Sequence, residues 1–137
     1  MNSQMQNAAL LAGRILLAML FIVSGAGKIG NFSDTAGYMA SAGLPVVNVL
    51  LALTIAVELG GGLLLVLGWK ARWSAVVLFL FLIPATLIFH AFWSAPAEQS
   101  AMQQIHFLKN LAIMGGMLLL AAYGPGAWAL EQNEAAK

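Results

Sequence analysis

Apolar residues run through this chain in long blocks separated by brief polar interruptions. Four blocks, residues 8–28, 45–67, 73–93 and 105–123, reach the length of about 20 residues that a helix needs to cross the hydrocarbon core of a bilayer. Backbone polar groups cannot go unpaired in lipid, so each block predicts a helix. Between them lie a long segment (29–44), a tight turn (68–72) and a polar loop (94–104). Within the long segment, Phe32, Thr35, Ala36 and Met39 recur at i, i+3, i+4 and i+7, while Gly43 and Pro45 mark a stop and a new start. That pattern predicts a short amphipathic helix across the outer mouth of the bundle, with Tyr38 near the interface. It reads either as a connector or as a lid. The expected architecture is an all-α integral membrane protein: a four-transmembrane-helix bundle with a short amphipathic helix in its first outer loop, forming a single domain over 1–137.

Composition agrees with this and removes other classes. Of 137 residues, 61% are apolar and 8% charged, against about 45–50% and 25% in soluble domains, so the outer surface must be solvated by lipid. A net charge of +1 offers no basic face, which excludes nucleic acid as a partner. The absence of cysteine excludes thiolate catalysis, disulfide exchange and cysteine-held zinc or iron–sulfur centres. No metal site is expected, and any redox chemistry must use a borrowed carrier. Residues 1–7 lack the Lys or Arg of a signal peptide, and Arg14 interrupts the apolar stretch, so the first block reads as a retained span. The turn with Lys70 and Arg72 is the most basic connection, whereas the 94–104 loop carries Glu98 and no cation. The positive-inside rule then puts the turn and both termini in the cytoplasm, although Lys28 and Lys109 flank the opposite side.

Polar residues inside the spans carry the remaining information. Glycines at 60–62 and 115–116 precede leucine-rich runs and predict close helix packing more readily than hinges. Arg14, Lys28, Glu58, His90, His106 and Lys109 are ionisable groups in apolar surroundings, and each needs a partner, a wet cavity or an interface. Glu58, the sole acid within a span, should face the interior and pair with Lys28 or Lys109, or with Arg14 if the second helix is shifted. Arg14 and Lys28 share a helix face but stand about 21 Å apart along it, so one carboxylate cannot serve both. Arg14 otherwise reaches lipid phosphates. His106, Lys109 and Asn110 fall at i, i+3 and i+4, opposite His90 and Trp93. Two histidines at similar depth raise bis-histidine haem ligation, but interfacial histidines more often hydrogen-bond or titrate, so haem is not the preferred reading.

The segments RILLAMLFIVSGAGK (14–28), FSDTAGYMASAGLP (32–45), VELGGGLLLVLG (57–68), FHAFW (89–93) and FLKNLAIMGGMLLLAAYGPG (107–126) together resemble the DoxX family of small bacterial inner-membrane proteins. The resemblance implies a multi-pass inner-membrane location and kinship with the small membrane subunit of thiosulfate:quinone oxidoreductase. It also implies a link to membrane complexes that pair such proteins with superoxide dismutase and a sulfurtransferase. Arg14, Lys28, Glu58, His90, Trp93, Lys109 and Asn110 match positions associated with the family, whereas His106 does not.

Two functions follow as expectations. In the first, the chain is a redox-linked subunit that binds quinone or another small amphiphile through His90, Trp93, Lys109, Asn110 and Lys28, with Glu58 and Arg14 as a buried ion pair or polar core. It would work with a membrane or periplasmic redox partner or as a homo-oligomer. In the second, it is a non-catalytic anchor or scaffold for a partner enzyme. The residues assign the chain no catalytic activity of its own.

Overall fold

A computed structural model describes residues 2–131. It contains α1 (Ser3–Gly30), α2 (Phe32–Ser41), α3 (Val47–Leu67), α4 (Ala71–Phe89), a 3-10 turn (Phe92–Ser94) and α5 (Ala97–Tyr123). The four long helices are apolar and long enough to span a membrane. At 21 residues, α3 extends about 31 Å, close to the ~30 Å hydrocarbon thickness. Large apolar side chains such as Leu16, Val23, Val49 and Leu119 lie exposed on the outer faces, as lipid-facing surfaces require.

Helix ends differ from the hydropathy blocks. α1 begins at Ser3, where the Asn2 side chain accepts a hydrogen bond from the Met5 N–H at 2.8 Å. α5 begins at Ala97, so most of the expected 94–104 loop is helical. Polar residues there end the apolar block without ending the helix, because hydropathy reports the solvent and not the backbone. Conversely α4 stops at Phe89, with His90 as its C-cap, and Trp93 lies in the 3-10 turn. α2 forms as the periodicity predicts, and its buried Ala36 and Met39 pack with Leu51 of α3.

Glycine sets the helix separations. Along the antiparallel α1–α3 pair, Gly25 meets Leu59 and Glu58, and Gly62 meets Ile22 and the Ala18 carbonyl. A methyl group on Gly62 would stand 2.7 Å from Ile22 Cγ1. Gly61 packs on Leu78 of α4 and Gly116 on Leu17 of α1, whereas nothing lies near Gly60 or Gly115. Between these contacts sits a core built on Ala18, Phe21, Leu65, Leu78 and Met117.

The end of the bundle opposite α2 is closed by residues 124–131. Helix α5 stops at Gly124, whose φ of 84° is available to glycine. The chain then doubles back across the α3–α4 turn, where Leu130 and Glu131 donate their N–H groups to the Leu67 and Gly68 carbonyls. Arg72 donates to the Ala121 and Ala122 carbonyls at 2.7 and 2.6 Å, placing a cation at the negative end of α5. Arg14 is 1% exposed and donates to the Trp128 carbonyl. It is packed against Gly68, so it is a buried polar group at this end of the bundle and is not the partner of Glu58. Its Nε and Nη1 have no hydrogen-bond partner among the described residues.

Candidate functional site

Toward the α2 end, the helices part around a cavity of about 520 Å³. Its walls are mainly apolar, with Leu20, Leu53, Val57, Phe81 and Ile88 among them. Leu20, Leu53 and Ile88 are also exposed on the outer surface, so the rim of the cavity is greasy. Thr35, Tyr38 and Met39 of α2 cover one side, and the Tyr38 ring stacks on Phe89 of α4 at 5.4 Å between centroids. The amphipathic helix therefore lies over the cavity.

Polar side chains enter this space from three spanning helices. Glu58, 5% exposed, sits midway along α3. Lys28 Nζ donates to both of its oxygens at 3.1 and 3.0 Å. Ser24, one turn before Lys28, accepts from its ammonium at 2.6 Å and donates to Glu58 Oε1 at 3.2 Å. The backbone explains the choice of cation: Gly25 lets α1 approach α3 closely at this level, and Lys28 then reaches one turn back along its own helix. Pairing the acid removes the main cost of holding a charge at that depth.

On the other side, Asn110 of α5 is buried and donates to the Thr86 hydroxyl of α4 at 3.0 Å. His90 Nδ1 donates to the side-chain oxygen of Gln103 at 2.8 Å. His90, Lys109 and Asn110 all line the cavity. Lys109 has no acidic partner among the described residues, whose ion pairs are Lys28–Glu58 and Lys70–Glu131.

Not every expected residue converges here. Trp93 is 60% exposed and lies outside the cavity lining, packed edge-on against Phe92 and Phe107. The unwinding of the chain at His90 carries it away from the pocket. Arg14 belongs to the opposite end. His106 rests beside His90 with ring centroids 5.1 Å apart, closer than two axial imidazoles on opposite faces of a haem can stand. The pair does not fit that cofactor. Ser24, Thr35 and Thr54, which line the cavity, escape a search of the sequence for ionisable groups; only their one-turn spacing from Lys28, Met39 and Glu58 points to them.

These features define a four-span integral membrane protein with a laterally placed cavity, apolar in its walls and charged in its interior. The DoxX family's sequence model matches residues 9–91. The chain is 35% identical to "Inner membrane protein YqjF" of Escherichia coli over 94% of both chains. It is 34% identical to "Inner membrane protein YphA" of the same organism over 90% of this chain and 89% of that one. A "Surfeit locus protein 4 homolog" of Schizosaccharomyces pombe is 29% identical over 90% of this chain but 37% of its own length. No solved structure matches. The protein belongs to the DoxX family and is a multi-pass inner-membrane protein.

Proposed function

We propose that this protein binds a quinone, or a comparable small amphiphile, as the membrane subunit of an oxidoreductase system. The observation that carries the reading is the cavity itself. Its volume of about 520 Å³ falls within the ~300–1,000 Å³ of small-ligand sites, which combine apolar walls with a few placed polar groups. A quinone needs a flat apolar slot and donors for its carbonyl oxygens. Phe81 and Phe89 supply aromatic wall, and Lys109 and Asn110 supply donors. When bound, a quinone carries electrons and protons between membrane sites. The chain's own residues bind and orient it, and α2 shields it from water. In this reading the termini face the cytoplasm, so the cavity lies in the outer half of the bilayer, within reach of a membrane or periplasmic partner or a second copy of the chain.

Organic extraction of the purified protein tests the proposal. Quinone or another amphiphile should be recovered in about stoichiometric amount, and Ala85→Trp, which fills the cavity, should abolish it. Recovery no greater than in an unrelated membrane protein would leave the chain as a non-catalytic anchor for a partner enzyme.

A further inference from the structure

The charges within the cavity do not cancel. Glu58 is its only acid among the described residues, and both carboxylate oxygens are engaged by Lys28 and Ser24. Glu58 and Lys28 therefore neutralise each other and have little left for a ligand. Lys109, exposed where it lines the same cavity, is then a second cation with no acidic partner among the described residues. The other described acids are committed or placed elsewhere: Asp34 lines a separate depression at the start of α2, Glu98 lies in the first turn of α5, and Glu131 pairs with Lys70. Beside Lys109, Asn110 is an amide donor held in place by Thr86. The described lining offers a surplus of one positive charge, with a donor on the adjacent residue, in a space whose walls are otherwise mainly hydrocarbon, with Thr35, Tyr38, Thr54 and His90 as further polar groups.

We infer that the occupant of this cavity is an amphiphile whose head carries one negative charge on oxygen, bound by Lys109. The inference rests on the cavity being the ligand site and narrows what that site takes. An anionic oxygen accepts hydrogen bonds and donates none, which suits the Lys109 ammonium and the second N–H of the Asn110 amide. The exposed apolar rim at Leu20, Leu53 and Ile88 lets the tail remain in the bilayer while the head enters. Two sources carry this chemistry: a quinone with an acidic ring hydroxyl, and a long-chain carboxylate.

Binding to the full chain in nonionic detergent, measured by titration calorimetry, decides the matter with two matched pairs. One pair is a 3-alkyl-2-hydroxy-1,4-naphthoquinone, ionised at neutral pH, and its 2-methoxy analogue. The other is decanoate and decanol. The anion of at least one pair should bind about tenfold or more tighter than its neutral partner, as a charged hydrogen bond implies. Lys109→Gln should reduce that preference to within about twofold, and Lys109→Arg should keep it. Comparing variants removes the contribution of partition into the micelle, and the pair that shows the preference names the source. Equal binding of anion and neutral partner, or a preference that survives Lys109→Gln, overturns the inference while leaving the cavity as a ligand site. Failure of all four probes to bind overturns both.

Discussion

Lys28 and Glu58 meet at 3.0 Å across the α1–α3 interface, with the lysine directed into the bundle and away from the nearer membrane surface. The pair fixes the register of the two helices at the floor of the cavity. Its partners are unequal in burial, the lysine side chain being 25% exposed and the glutamate 6%.

Breaking this pair should cost less than the about 3–5 kcal/mol of a fully enclosed one, because the lysine side chain is only partly enclosed. Glu58→Gln is expected to lower thermal stability in detergent by about 1–3 kcal/mol. The double variant Lys28→Met/Glu58→Leu should recover most of that loss, since it leaves no charge behind. Equal losses in single and double variants would show that packing, not charge, holds the register.

Glycines that look alike in sequence should behave differently. Gly62→Val drives a side chain into Ile22 and the Ala18 carbonyl, and should cost about 1–3 kcal/mol by overpacking. Gly60→Ala faces open space and should be neutral or stabilising by up to about 1 kcal/mol. Thermal melts of the two variants, run side by side, check this.

Trp93→Ala should leave ligand affinity unchanged. Its ring packs edge-on against Phe92 and Phe107 outside the cavity, so the loss is one of local stability, about 0.5–1.5 kcal/mol beyond the buried area. Weaker binding in Trp93→Ala at unchanged stability would place the ligand elsewhere.

Tyr38→Ala removes the stacking contact between α2 and Phe89. Ligand dissociation should accelerate several-fold with little change in association, as stopped-flow exchange would show. An unaltered off-rate would make α2 a connector and not a lid.

A reporter fused after residue 137 should register as cytoplasmic, and one inserted near Pro96 as periplasmic. The opposite pattern would put the cavity in the inner half of the bilayer.

The spans and the α2 helix were legible because lipid leaves a strong mark on composition and because Phe32, Thr35, Ala36 and Met39 keep helical spacing. Glu58 was legible as interior because a lone acid in a span has few alternatives. Its choice of Lys28 over Lys109 was not, since that depends on how closely Gly25 lets two backbones approach. The start of α5 was hidden because a helix emerging from lipid changes its side chains and keeps its hydrogen bonds. The partner of Arg14 was hidden for a different reason: it is a backbone carbonyl 114 residues away, and a sequence does not distinguish one carbonyl from another.

That separation also sets an order of events during synthesis. Arg14 enters the membrane with the first helix, but the carbonyl that receives it belongs to Trp128, beyond the last. At about 5–20 residues per second, translation supplies Trp128 on the order of ten seconds later. During that interval the guanidinium must borrow water, lipid phosphate or the insertion machinery. The nascent chain thus holds an open obligation in its first span that only the segment after α5 meets, which couples the emergence of that segment to completion of the fold.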